Sequence, residues 1–141
     1  MPKHSHTAQR AMPKPSDEKI TVNVGCVDLG QIDLLVQEGF YANRTDLIRT
    51  AIRNQLSTHS EVVRDVVSRK TLVLGIQHYS AADLQAVQAR GEKLQIRVLG
   101  LAAIAPDVTP ALALASIDSI TVLGALHASP AVKTALAQRI R

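Results

Sequence analysis

The chain has 141 residues and a net charge of +4, and 46% of its residues are hydrophobic while only 2% are aromatic. This length fits one ordinary domain or two very small ones, and the hydrophobic content argues against wholesale disorder. The scarcity of aromatic side chains argues against a stacking platform for single-stranded nucleic acid, whereas the basic balance suits an anionic partner.

The start of the chain and its cysteine content indicate a soluble, cytoplasmic protein. Residues 1–17 contain three prolines and no apolar run, so we expect a flexible basic arm and not a signal peptide. No stretch approaches the roughly 18 apolar residues of a membrane span, so no membrane partner is expected. Cys26 is the single cysteine, which excludes an intrachain disulfide and a zinc site built from several thiolates.

Residues 19–24 alternate strictly between polar and apolar side chains, which predicts a β-strand with two different faces. One face is apolar and needs a core; it carries Ile20, Val22 and Val24. The other face is polar and carries Lys19, Thr21 and Asn23.

Two short helices are predicted directly after this strand. Asp28 is the expected N-cap of the first helix, and Gly39 is expected to end it. Asn43 and Asp46 form a variant of the capping box that begins the second helix. Apolar residues recur at helical spacing in both helices, and the predicted buried side of the second helix includes Leu47, Ile48, Ala51, Ile52 and Leu56.

A single strand leaves its backbone N–H and C=O groups without partners, and no second strand is predicted before residue 70. A second copy of the chain solves this problem by forming an antiparallel two-stranded ribbon across a twofold axis, with four helices beneath it. Folding and dimerisation then become one event. The predicted dimer core consists of Ile20, Val22, Val24, Ile48 and Ile52.

Residues 18–57 resemble the ribbon-helix-helix family of DNA-binding proteins, the class of the Arc, MetJ and CopG repressors. The resemblance implies that the ribbon lies in the major groove, where its outward side chains contact bases. These positions fall on Lys19, Thr21 and Asn23. It also implies that the start of the second helix contacts phosphate, here through Asn43, Arg44 and Thr45. Free amides and the helix dipole favour an anion at this end independently of the resemblance.

The second half of the chain contains an internal repeat. Residues 58–70 are predicted to be a helical linker, and three similar segments follow it. Each contains a Val-Leu-Gly tripeptide, and the tripeptides begin at Val73, Val98 and Val122. Each unit is predicted to have a short strand that ends at the glycine, then a loop and a helix. Residues 71–141 therefore predict a right-handed α/β solenoid of about three coils, which resembles the leucine-rich-repeat class without its asparagine position.

Details of the three units differ. Ser80 with Asp83, and Ser129 before Pro130, are helix-starting signals in the first and last units. Two prolines in the middle unit predict a short or irregular helix. His78 and His127 occupy equivalent positions two strands apart, so we expect exposed loop histidines and no shared metal ion.

Only residues 137–141 follow the last predicted helix, which is a thin cap for a repeat array. We therefore expect an unpaired strand edge that mediates self-assembly. The predicted edge residues are Ile120, Val122 and Leu123.

The sequence thus predicts an α/β protein with an N-terminal ribbon-helix-helix module and a C-terminal solenoid. The predicted function is dimeric, sequence-specific binding of double-stranded DNA in transcriptional regulation, with the solenoid mediating higher-order self-assembly on DNA. The alternative is an antitoxin-like autoregulatory DNA binder whose C-terminal domain binds a protein partner. No nucleophile, metal-ligand or phosphate-loop pattern is present, so we expect no enzymatic activity, no cofactor and no metal.

Overall fold

The computed structural model describes residues 16–141, so the arm predicted over residues 1–17 lies outside this range except for its last two residues. The described chain is mixed α/β, with three helices before the first strand and one helix after each strand. In chain order the elements are α1 (Cys26–Gln37), α2 (Arg44–Thr58), α3 (Ser60–Arg69), β1 (Val73–Tyr79), α4 (Ala81–Ala89), β2 (Leu94–Ile104), α5 (Pro110–Ser116), β3 (Ile117–His127) and α6 (Pro130–Ala135).

Helix α1 begins three residues earlier than predicted, with Gly25 and not Asp28 at the N-cap position. Its first residue is Cys26, so Asp28 is not the N-cap but lies in the first turn, where its carboxylate still interacts favourably with the helix dipole. The C-terminal prediction is confirmed: Gly39 has φ +83° and follows the last turn. The amides of Gly39 and Phe40 donate to the carbonyls of Val36 and Leu35, which is the Schellman arrangement.

Helix α2 begins where the capping signal predicts. The Asn43 side chain accepts a hydrogen bond from the Asp46 amide at 2.8 Å. The Asp46 carboxylate accepts from the amide of Ala42 at 3.0 Å, one residue before the position that a capping box would use. The helix expected in the following linker is present as α3, which follows α2 after a break at His59.

The three strands form one parallel sheet in the order β1-β2-β3. Val73 pairs with Val98, which pairs with Val122, and the three repeat glycines pair in the same register. Equivalent positions of the sequence repeat therefore lie side by side across the sheet.

The helix starts of the three units follow the sequence signals. Ser80 and Asp83 form a reciprocal capping box at α4, and the Ser129 hydroxyl accepts from the Val132 amide at the start of α6. Helix α5 of the middle unit has only seven residues and is capped by Thr109. The short middle helix that the prolines predict is thus confirmed.

The main core lies between one face of the sheet and helices α4, α5 and α6. It includes Ile96, Val98 and Ile120 from the strands and Leu84 and Val132 from the helices. The opposite side of the sheet, which we call the open face, is also apolar. The open face consists of Leu74, Ile76, Leu99, Leu101, Leu123 and Ala125, three of which are more than half exposed.

The strands do not end at the repeat glycines, as the sequence had suggested, but continue for several residues beyond them. All three glycines have φ between +123° and +139°, a region that side-chain-bearing residues rarely adopt. A Cβ atom at Gly100 would overlap the carbonyl oxygen of Gly75, and one at Gly124 would overlap that of Gly100. Glycine is therefore required here because the neighbouring backbone occupies the space of a side chain.

The prediction of an unpaired edge is wrong at Ile120. The Ile120 amide donates to the Arg139 carbonyl at 2.9 Å, and the Arg141 amide donates to the Ile120 carbonyl at 2.8 Å. The Arg139 guanidinium also bonds the carbonyls of Leu114 and Ile117, which fixes this C-terminal segment in place. Ile120 is consequently fully buried, whereas Leu123 further along the strand is 53% exposed.

Candidate nucleic-acid interface

The segment predicted to form the ribbon has neither helix nor strand in the single chain. Residues 17–25 carry no regular secondary structure and precede α1. Ile20 is 76% exposed and Val22 is 71% exposed, while Val24 is also exposed. The alternating apolar face is therefore uncovered, and the polar residues Lys19, Thr21 and Asn23 are exposed as well.

Helices α1 and α2 also leave their apolar stripes open. No residue of either helix is fully buried. Ile48 and Ile52, four residues apart on α2, are 42% and 46% exposed. The residues predicted to form the dimer core thus share one property in the single chain, which is a large exposed apolar side chain.

An ion pair braces α1 against α2. Arg44 donates two hydrogen bonds to the Asp33 carboxylate, from Nε at 2.7 Å and from Nη2 at 2.8 Å. The side-chain hydrogen bond from Arg44 lowers the pKa of Asp33, and the same bond raises the pKa of Arg44. Arg44 was predicted to contact phosphate, but its guanidinium already has a carboxylate partner.

The start of α2 still offers backbone donors to an anion. The Asp46 amide is occupied by Asn43, whereas no partner for the amides of Arg44 and Thr45 occurs in residues 16–141. Arg49 and Arg53 lie on the same helix and are exposed. This end of α2 therefore combines two amide donors with the positive end of a helix dipole, and Arg49 and Arg53 add positive charge further along the helix.

The described start of the chain, including the first residues of the ribbon segment, lies over the open face of the sheet. Ser16, Glu18 and Ile20 line a groove of about 560 Å³ whose floor includes the repeat glycines. The Glu18 carboxylate lies 2.7 Å from His127 Nε2, which joins the N-terminal segment to the end of β3. Because these three residues alternate along the chain, they present one side of the segment to the sheet.

The two repeat histidines are strand residues, which corrects their placement in loops. His78 belongs to β1 and His127 to β3, and Ala103 of β2 lies between them in register. Across residues 16–141 no group of three or more His, Cys, Asp or Glu side chains could hold a metal ion.

Sequence reasoning missed the roles of Asp33 and Glu18. Asp33 lies 11 residues before Arg44, and Glu18 lies 109 residues before His127. Neither contact can be predicted from the local sequence, because both depend on how helices, strands and loops pack in the folded chain. A helix-spacing rule covers only partners three or four residues apart.

The N-terminal part of the chain thus combines an alternating segment with two short helices whose apolar stripes are exposed. Residues 15–133 match the model of the Ribbon-Helix-Helix transcriptional regulator family, and the chain belongs to that family. The match includes the parallel sheet as well as the N-terminal helices. No curated protein and no solved structure matches the chain.

Membership of this family identifies a DNA-binding transcriptional regulator, and such regulators are typically dimeric and not enzymes. Among the helices of residues 16–141, none is long and apolar enough to cross a membrane.

Proposed function

We propose that the chain is a dimeric, sequence-specific regulator in which residues 19–24 of two copies pair as an antiparallel ribbon in the DNA major groove. The supporting observation is that the apolar face of Ile20 and Val22 and the α2 stripe of Ile48 and Ile52 are both exposed in the single chain. Fully burying an aliphatic side chain contributes about 1.5–3 kcal/mol. Pairing two copies buries both surfaces and gives the strand its backbone partners.

In this dimer Lys19, Thr21 and Asn23 are the base-contacting residues. Lysine donates to guanine, asparagine bonds adenine in two places, and threonine contacts either a base edge or a thymine methyl group. Phosphate is bound by the amides at the start of α2, with Asn43 and Thr45 orienting the backbone. Arg44 contributes from its ion pair with Asp33, which neutralises part of its charge and holds it at the surface.

The C-terminal half is proposed to be a short α/β solenoid that mediates assembly of dimers on DNA. The domains are then residues 18–57 for DNA binding and dimerisation, 58–70 as linker and 71–141 for assembly, acting in the cytoplasm. Because the bonds of residues 139–141 to β3 reach only its first residues, Ile117 and Ile120, the proposed assembly edge lies beyond Ile120, at Val122 and Leu123. The alternative, an antitoxin-like capture of a protein partner, is supported by the exposed leucines of the open face.

Two measurements on the full chain test the DNA-binding proposal. Bound fragments are selected from a genomic library, and the strongest site is footprinted at several protein concentrations. Sedimentation without DNA then gives the oligomeric state. We expect a protected site with twofold symmetry and a dimer as the smallest folded species. A folded monomer at micromolar concentration contradicts the ribbon.

Matched apolar variants separate the dimer core from the rest of the surface. Ile52→Ala removes a side chain that the proposed dimer buries, at a cost of about 2–5 kcal/mol per site. Val27→Ala removes one that is 74% exposed and outside the proposed core. We expect the first variant alone to raise the dimer dissociation constant. Equal constants for both variants place the interface elsewhere.

A further inference from the structure

A second cleft lies where the N-terminal helices meet the open face. Its volume is about 620 Å³, and its walls come from the end of α2, from α3 and from the first two strands. This size is within the range of sites for small organic ligands. The cleft-lining residues are Leu56, Ser60, Val63, Arg64, Val67, Leu74 and Leu99.

The walls of this cleft are apolar on both sides. Leu56 on the helix side is 61% exposed and Leu74 on the sheet side is 66% exposed, so they face open space. Leu74 and Leu99 are register partners on neighbouring strands and form a continuous apolar floor. Removing such apolar surface from water contributes about 25 cal/mol per Å², which favours a hydrophobic occupant.

Among residues 16–141, the Arg64 guanidinium is the only ionisable group that lines the cleft. Arg64 of α3 has no carboxylate within ion-pair distance in residues 16–141, although Glu61 and Asp65 are close to it in sequence. Arginine binds carboxylates through two parallel hydrogen bonds. An apolar floor with a single guanidinium at its side therefore matches a molecule that has one apolar body and one carboxylate.

We propose that this cleft binds an amphipathic carboxylic acid, with its apolar body on Leu74 and Leu99 and its carboxylate on Arg64. The cleft walls belong to two parts of the molecule, because Leu56 is on the second helix of the DNA-binding module and Leu74 is on the sheet. A ligand that contacts both sides favours one arrangement of α2 against the sheet. This inference rests on the proposed DNA-binding function: such a ligand changes the affinity of the protein for DNA. Bound DNA then changes the affinity for the ligand by the same factor.

Calorimetry of the full chain without DNA tests the cleft, with three probes of equal chain length. Decanoate carries the predicted charge, decanol is neutral and decyltrimethylammonium is cationic. The two ionic probes are used below their critical micelle concentrations and decanol below its solubility limit. We expect affinity to fall in that order. Arg64→Gln should weaken decanoate about three- to tenfold and leave decanol unchanged, since a partly exposed charged hydrogen bond is lost. Leu74→Gln should weaken all three probes.

Arg69→Gln is the matched control, because it removes the same charge from the same helix at a residue that does not line the cleft. Equal effects of Arg64→Gln and Arg69→Gln on decanoate overturn the proposed carboxylate contact. A decanoate affinity that falls as protein concentration rises, together with an oligomer that Leu74→Gln dissociates, assigns the cleft to a second copy and overturns the ligand site.

The DNA arm uses the selected operator with and without saturating decanoate. We expect the affinity for DNA to shift, and the shift to disappear in Arg64→Gln. Decanoate binding that depends on Arg64 but leaves operator affinity unchanged overturns the regulatory role. If no operator is found, the proposed DNA-binding function fails while the calorimetric result on the cleft stands by itself.

Discussion

The Arg44 side chain shows how one contact changes the role expected of a residue. Its position at the start of α2 suits a phosphate, yet its guanidinium is held by Asp33 at 2.7 and 2.8 Å. Both side chains are about half exposed, so the pair stabilises the fold only modestly. Its main consequence is to fix α1 relative to α2, and an Arg44 variant therefore disturbs helix packing as well as DNA contact.

The Asp33 pair predicts a loss of stability in acid. Because Arg44 lowers the pKa of Asp33 in the folded chain, the pair contributes stability above the unfolded value of about 3.9. That contribution is lost as pH falls through the lower folded pKa. The urea midpoint, measured at fixed protein concentration, should fall less in acid for Asp33→Asn than for the original chain. Asp28→Asn is the control, and an identical acid response of all three proteins contradicts the prediction.

The polar face of the ribbon segment gives the second prediction at this scale. Replacing Asn23 or Thr21 with Ala should cost about 1–3 kcal/mol on the selected operator and change binding to random DNA little. Fluorescence anisotropy on both DNAs measures the difference. Thr58→Ala is a matched control because its hydroxyl bonds the Asn54 carbonyl within α2. Equal losses on operator and random DNA show that the ribbon does not read sequence.

At the scale of elements, the glycine row determines how closely the three strands approach. All three glycines have a positive φ, and the carbonyls of Gly75 and Gly100 lie where a Cβ atom on the glycine of the next strand would be. The three strands therefore stay paired at a position where the backbone adopts a conformation that residues with side chains avoid. This explains why one tripeptide recurs at equivalent positions, since all three strands must make the same local change to remain in register.

A single methyl group at Gly100 should destabilise the sheet. Gly100→Ala adds backbone strain and an overlap with the Gly75 carbonyl, which together cost about 2–4 kcal/mol. Gly30→Ala is the opposite control: Gly30 is inside α1 with no atom within 4 Å of an added Cβ, so it should stabilise by about 0.5–1 kcal/mol. Urea unfolding followed by circular dichroism measures both changes. A Gly100→Ala midpoint equal to that of the original chain refutes the packing argument.

At the scale of the whole molecule, the buried residues are concentrated in the C-terminal half of the chain. All fully buried residues among residues 16–141 lie between Leu72 and Leu136, while the N-terminal helices bury none completely. The C-terminal half has its own core, whereas the N-terminal module has apolar surface and no core of its own. Stability of that module is therefore expected to depend on protein concentration.

Removal of residues 71–141 tests how the halves cooperate. If the N-terminal module is a dimer, residues 1–70 should remain dimeric in sedimentation and bind a single operator nearly as well as the full chain. Cooperative occupancy of tandem operators should be lost, because the proposed assembly edge at Val122 and Leu123 is gone. A full chain that is strictly dimeric on DNA, with the binding curve of the truncated chain, contradicts the assembly role.

The sequence by itself determined the local features of this protein. The cap at Asn43, the Schellman end at Gly39, the capping box at Ser80 and the glycine register all follow from short-range rules, because each depends on residues a few positions apart or on a repeat period. The family resemblance over residues 18–57 was also readable, since it rests on one alternating strand with a polar face and on two short helices, the second of which begins with the segment from Asn43 to Arg49.

Only the tertiary structure decided the contacts between distant parts of the chain. The pair of Arg44 with Asp33, the contact of Glu18 with His127 and the bonding of Ile120 by residues 139–141 depend on element packing, which no local period encodes. The edge at Ile120 was misjudged for this reason. A tail of five residues looks too short to cap a repeat. Two backbone hydrogen bonds to Ile120 and the side chain of Arg139 are nevertheless enough to cover the first residues of β3.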